Sequence, residues 1–318
     1  MKRFITILLI MSVGTGLSQV FAQQIPQFSQ YMFNGLYINP AYAGYKEDMY
    51  AHLMYRKQWL TIECSPQTIM FGIDGDLGRG SNLGLIYAND QLGAVTTNSI
   101  MLAYAFRFNL SSNARLSIGL SGGALHYNLD KSKVEPDDPL LLATRGAWKP
   151  QADVGVYFDL PDFYAGFSAM GLIPNRAESN TMQIMRSVPT YFLTFGGMIH
   201  LSKEVALAPS TLLKSDFKSP LCLDLNAMIV LSERVWLGAG YRTGLNFTYK
   251  KEEASESLRQ IDALVLTAEI YLTENIRLGL AYDFDLTSLT TDYNGGIEIS
   301  LGYYILKPQR HYVRPRYF

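Results

Sequence analysis

The 318-residue chain carries a formal net charge of -1, with 17% charged residues, 13% aromatics and 21 tyrosines. Near-neutrality gives no global field to hold nucleic acid or an acidic polymer, so neither is expected as a partner. A charged share below the usual quarter or so, with abundant Tyr, Phe and Gly, fits a surface that meets lipid through interfacial aromatics.

Residues 1–22 read as a secretory signal peptide. Lys2 and Arg3 form a positive start, Phe4 to Val13 an apolar run, and Val20-Phe21-Ala22 a cleavage site, so the mature chain is predicted to begin at Gln23. The run is too short for an anchor and is broken by Gly14, Thr15 and Gly16. No Cys follows the cut to mark a lipoprotein, and no later apolar run approaches the roughly 20 residues of a membrane helix. The exported chain is therefore either soluble or a membrane barrel.

Residues 23–47 are dense in Tyr, Phe, Asn and Gln, and Pro26 and Pro40 forbid a single regular element. They are expected to form an ordered entry segment. Two placements are open: folded into a barrel as a plug, or laid along its periplasmic rim.

From Asp48 onward, segments of about ten residues alternate apolar with small or polar, the period of a two-faced strand. Leu278, Leu280, Tyr282 and Phe284 share one face, against Arg277, Gly279, Ala281, Asp283 and Asp285 on the other. Ile100, Leu102, Tyr104, Phe106 and Phe108 likewise oppose Ser99, Ala103, Ala105 and Arg107. Such segments start near Asp48, Gln67, Ser81, Asn98, Ala114, Gln151, Phe163, Thr190, Val205, Leu221, Val235, Ile261, Ile276 and Gly295. Their connections alternate between tight turns, such as Gly78-Arg79-Gly80 and Thr273-Glu274-Asn275, and mostly longer stretches, such as Leu129 to Trp148 and Leu245 to Gln260. Short turns at one end and long loops at the other mark a bacterial outer-membrane barrel. A soluble sandwich has no reason to alternate loop length in this way.

The predicted fold is thus all-β: a transmembrane antiparallel barrel of about 14 strands over residues 48–305, with periplasmic ends, in the cell outer membrane. Many inward positions are glycine, including Gly72, Gly119, Gly155 and Gly279, which leaves room for a backbone to approach. That favours the plug placement, with Arg56 and Gln58 on the inward face of the first strand to bond it. Residues 306–318, basic and proline-punctuated with Arg310, Arg314 and Arg316, read either as a loose, solvated terminus or as a docking peptide facing the periplasm.

Catalytic chemistry is not expected. The sequence has no G-x-S-x-G elbow, P-loop or H-E-x-x-H, and His52, His126, His200 and His311 fall singly on different segments. Asp74, Asp76, Asp283 and Asp285 are expected to pair with Arg107, Arg115, Arg242 and Arg277 in a lumenal salt-bridge network rather than to hold a metal. Cys64 and Cys222 read as unpaired thiols, with a disulfide as the alternative. No cofactor is implied.

The opening Pro26-Gln27-Phe28-Ser29-Gln30-Tyr31-Met32-Phe33-Asn34, the run Ile38-Asn39-Pro40-Ala41-Tyr42-Ala43-Gly44, and Arg56, Gln58 and Trp59 together resemble the PorP/SprF family of the type IX secretion and gliding machinery. The ending Pro315, Arg316, Tyr317 and Phe318 is similar too, although Arg314 stands where the family would place a Cys. The resemblance implies a non-enzymatic outer-membrane component. Its implied partners are membrane lipid, the periplasmic PorK/PorN ring, the peptidoglycan-binding PorE, and secreted adhesins with C-terminal sorting domains. A passive channel for small or hydrophobic solutes with an N-terminal hatch is the competing reading; it is similar in strand number to fatty-acid transporters.

Overall fold

The alternation makes every strand two-faced, and a closed cylinder gives both faces a home while leaving no open edge. The computed structural model describes residues 25–46, 48–130, 146–173, 176–179, 182–186, 188–245, 263–286 and 295–305. The strands are β1 Tyr50–Gln58, β2 Gln67–Gly78, β3 Ser81–Leu92, β4 Val95–Asn109, β5 Arg115–Leu129, β6 Ala147–Leu160, β7 Phe163–Met170, β8 Thr190–Gly197, β9 Val205–Ser215, β10 Leu221–Leu231, β11 Val235–Leu245, β12 Ala263–Tyr271, β13 Ile276–Asp285 and β14 Gly296–Tyr304. Each pairs antiparallel with its neighbours in sequence, and β1 closes on β14 in register from Tyr50↔Tyr304 to Gln58↔Gly296. Ile199–His200 carries β8 on past Met198 against β9, so it adds no fifteenth stave. A separate hairpin, Arg176–Ser179 with Met182–Arg186, stands in the β7–β8 connection. Eight of the expected strand starts coincide with the observed ones, and the other six lie within four residues.

The outward face is apolar and uncovered. Leu102, Leu120, Leu237 and Leu266 are 57%, 58%, 49% and 47% exposed, and dozens of further Leu, Ile, Phe and Tyr side chains share that band. A soluble monomer rarely leaves more than a few hundred Å² of contiguous apolar surface open, so this belt is a lipid-facing surface. Among the described residues no helix is long and apolar enough to cross a membrane; the crossing is made by strands.

Tight turns sit at one end: 79–80, 110–114, 161–162, 198–204, 232–234 and 272–275. The other end carries most of the longer connections, with two departures: β3 and β4 are joined there by Gly93 and Ala94 alone, and β9 and β10 by the five residues 216–220. The strands beside the first of these turns are tall. β3 and β4 have 12 and 15 residues, against the 9–11 or so that cross a bilayer. Above Tyr87 and Ile100 their outward residues turn polar, with Asn89 donating to Asn98 at 2.8 Å, so this arc rises past the greasy belt at the long-loop end.

Cys64 is exposed and Cys222 buried, and both are free thiols. The signal peptide and the tail 306–318 lie outside the described residues.

Candidate functional site

The lumen is occupied by the chain's own residues 25–46. Prolines and asparagines break this segment into a 3-10 turn Tyr31–Phe33, one α-helical turn Gly35–Ile38 and a second 3-10 turn Pro40–Tyr42. Asn39 caps the last of these, accepting from the Ala41 N–H at 2.9 Å with Pro40 in the first position. So short a segment cannot form a core of its own, and it borrows the barrel wall: Phe28, Tyr31, Phe33, Leu36, Tyr42 and Tyr45 are all buried. Each such side chain contributes about 1.5–3 kcal/mol by leaving water.

Both strand termini, the start of β1 and the end of β14, lie at the tight-turn end as expected. The segment ahead of β1, however, reaches back through the whole lumen. Ile25 accepts from Lys214 Nζ at 2.6 Å, at the long-loop end of β9. Gly44 meets Asp74 and Arg107, near the tight turns. No sequence signal placed residue 25 at the far end.

Near the long loops, Ser29 and Gln30 sit at the centre of an ion network. The backbone N–H groups of Ser29 and Gln30 donate to the two Glu298 carboxylate oxygens at 2.8 and 2.9 Å. Ser29 Oγ donates to Asp283 at 2.6 Å and accepts from Arg56 Nη1 at 2.9 Å and Arg242 Nη2 at 3.1 Å. Arg56 pairs with Asp283 at 2.5 Å and Glu298 at 2.9 Å. Arg242 pairs with Asp224 at 2.7 Å and Asp283 at 3.3 Å, and Gln27 donates to Asp224 at 2.5 Å. Charge-assisted bonds of this kind are about twice as strong as neutral ones, and here each is shielded from water.

A second layer holds the other end. Arg277 pairs with Glu269 at 3.2 Å and donates to the Phe33 carbonyl at 3.2 Å. Lys46 Nζ lies 3.9 Å over the Tyr50 ring. Gly44, at φ +64°, donates to Asp74 at 2.7 Å and accepts from Arg107 at 2.6 Å; a side chain there would meet Asn82.

The family-motif residues therefore converge in three dimensions. Pro26 borders a cavity, Phe28 stacks edge-on against Tyr37 at 4.9 Å, and Gln30 also accepts from Ser300 at 2.7 Å. Tyr31 donates to Ser210 and accepts from Asn226, both at 3.2 Å. Asn34 reaches Met70 Sδ at 3.0 Å, and Asn39 donates to the Val156 carbonyl at 3.0 Å. Ser168 donates to the Ile38 carbonyl. Pro40 and Tyr42 lie in the second 3-10 turn, and the Tyr42 ring is 4.6 Å from Tyr45 and 5.4 Å from Tyr157. Arg56 meets the segment at Ser29 Oγ. Gln58 ends β1, its backbone N–H on the Pro66 carbonyl at 3.0 Å, and Trp59 is exposed just beyond it. Pro315, Arg316, Tyr317 and Phe318 lie outside the described residues.

The expected lumenal acid–arginine network exists, but its membership differs. Arg115 pairs with Asp159 at 2.8 Å, and Asp76 stands 4.0 Å from Arg107. Asp283, one of the expected acids, takes Arg56, Arg242 and Ser29 Oγ, but the other carboxylates that hold arginines beside it and below it, Glu298, Asp224 and Glu269, were not among those expected. Their inward phase on the strands was readable; which of them meet across the lumen was not, because that depends on strand stagger. Among the described residues no group of three or more His, Cys, Asp or Glu is placed to hold a metal.

The inward glycines are the seats of the segment. A Cβ on Gly119 would overlap the backbone of Pro40 and Ala41, and one on Gly155 would overlap the Asn39 amide. Gly119→Ala is expected to loosen the 39–42 turn by about 1–3 kcal/mol, the usual range for overpacking. Proteolysis of the intact barrel checks this: cleavage within residues 25–46 should accelerate while heat-modifiable gel migration of the barrel stays unchanged.

A family model described as "Type IX secretion system membrane protein PorP/SprF" matches residues 20–303. No curated protein matches the chain. Among solved structures, the outer membrane protein Omp33 of Acinetobacter baumannii is similar at 8% identity and TM-score 0.47, covering 82% of this chain and 100% of its own. The CymD monoaromatic hydrocarbon channel is similar at 12% identity and TM-score 0.49, covering 88% and 93%. The KdgM porin follows at 7% and 0.37, covering 80% and 98%.

Proposed function

The chain belongs to the PorP/SprF family of type IX secretion system membrane proteins, and from that premise we propose that it acts as a closed, non-enzymatic anchor in the outer membrane. In this reading the signal peptide 1–22 is removed, the tight-turn end and the tail 306–318 face the periplasm, and that face holds the PorK/PorN ring and PorE. The long-loop end faces outward and meets exported adhesins. The observation that carries the proposal is the occupied lumen. Residues 25–46 are bonded to inward groups on both sides of the barrel, including Glu298, Asp224, Ser210, Ser168 and Asp74. A barrel whose bore is filled by its own buried, ion-paired chain serves as a rigid body for attachment rather than as a conduit. The channel reading requires this same segment to leave, which breaks the Ser29 network.

Affinity purification from native outer membranes after mild crosslinking tests the proposal. Recovery of the ring lipoprotein, or of an adhesin, is the expected result. Recovery of the barrel alone, together with normal secretion in a deletion strain, would overturn it and leave the channel reading in place.

A further inference from the structure

At its long-loop end the lumen is gripped on one side and hollow on the other. Opposite the Ser29 network, on the arc formed by β3 to β7, a cavity of about 90 Å³ remains between the segment and the wall. Leu36, Ile86, Met101 and Leu125 are among its apolar lining residues, and Asp90 and Asp153 add carboxylates. The described lining contains no Lys, Arg or His. It sits at the long-loop end, behind the tall strands, where β3 and β4 are joined by only Gly93 and Ala94.

The two carboxylates differ. Asp153 is fully engaged: one oxygen accepts from Gln151 at 2.9 Å and from the Gly171 N–H at 2.7 Å, and the other accepts from Ser121 at 2.6 Å. Asp90 accepts from Thr68 at 2.7 Å through one oxygen. Its other oxygen receives no hydrogen bond from the described residues. Elsewhere in the outer half of the lumen, Asp224, Asp283 and Glu298 each bond an arginine. Asp90 is therefore an acid at the mouth of an apolar pocket that, among the described residues, has no cation of the kind its counterparts across the lumen possess.

We propose that this cavity takes the side chain of a lysine presented by an extended peptide at the outer face. Four methylenes match an apolar space of side-chain size, and the terminal ammonium supplies the missing partner of Asp90. A flat guanidinium fits less well because it needs a second, in-plane acceptor, and Asp153 is already engaged on both oxygens. Anionic groups are refused by the two carboxylates. The inference deepens the assembly reading by giving the outward end a ligand, and its test is separate: the pocket can reject lysine while the periplasmic ring is still recovered.

The test uses the full-length mature protein in lipid nanodiscs, with empty nanodiscs as control. Its probes are the peptide acetyl-Gly-Gly-Lys-Gly-Gly-amide and the same peptide with norleucine or glutamate in place of lysine. The lysine peptide should bind at least about tenfold more tightly than the norleucine one, the value of one charge-assisted hydrogen bond in a sheltered site. Asp90→Asn should erase that difference, and Ser99→Phe, which fills the cavity from the wall, should abolish binding of both. Barrel integrity of each variant is read from heat-modifiable migration. Equal binding of the lysine and norleucine peptides, discrimination that survives Asp90→Asn, or no binding of the lysine peptide by wild type would each overturn the proposal.

Discussion

Deleting residues 25–46 is expected to turn a protein that is silent in planar bilayers into one that conducts steadily, with a rise of roughly tenfold or more over the wild-type baseline, because about fourteen strands enclose a water-filled bore once nothing occupies it. The wall left behind is suited to water. Arg56, Asp74, Arg107, Asp224, Arg242, Glu269, Arg277, Asp283 and Glu298 all point inward, and charges that lose the segment regain hydration instead of being stranded. The strand pairing, including β1 on β14, does not involve the deleted residues, so the cylinder should persist. Single-channel recording decides the matter. Wild type that conducts as well as the deletion variant would mean that the segment leaves the lumen in the membrane, and the anchor reading would lose its central support.

The second large effect is expected at Arg56. Its guanidinium reaches Asp283, Glu298 and Ser29 at once, with the side chain only 3% exposed. Arg56→Ala leaves Glu298 buried without its cation, and removing one member of a buried pair costs about 3–5 kcal/mol. Asp283 keeps Arg242, which places the loss toward the lower part of that range. Because Glu298 also receives the Ser29 and Gln30 N–H groups, the damage should reach the segment: brief channel openings and faster proteolysis within 25–46, with a lowered unfolding midpoint in urea. Pairing Arg56→Met with Glu298→Gln removes both charges and should recover most of the stability. Equal instability of the single and double variants would show that packing, not charge, holds this region. Gly119→Ala acts on the same segment through a different contact, so its effect should add to that of Arg56→Ala rather than be absorbed by it.

The cylinder was legible in the chain because strand alternation is a local property. Leu280 and Asp283 reveal their faces by parity alone, and tight turns such as 79–80 and 232–234 reveal an end. The turn at Gly93 and Ala94 departs from that pattern, and only strand heights explain it: β3 and β4 rise above the belt before they turn. The motif Pro26 to Gly44 announced an ordered, aromatic, amide-rich segment, and glycines such as Gly119 announced space for it. Ser29 carried no signal of its own. It is a common residue whose hydroxyl matters because Arg56, Arg242 and Asp283, from three separate strands, converge on it.

The sequence by itself determined the two-faced strands, their number, the end that carries the tight turns and the irregularity of the entry segment. Each of these depends on side-chain phase or on proline and glycine within a few residues. Only the tertiary structure decided that the segment runs the length of the bore, that Glu298 rather than Asp285 grips it, and that one arc of the outer lumen is left hollow beside Asp90. Those outcomes depend on closure and stagger, which bring strands far apart in the chain to one height, and no local pattern encodes a height.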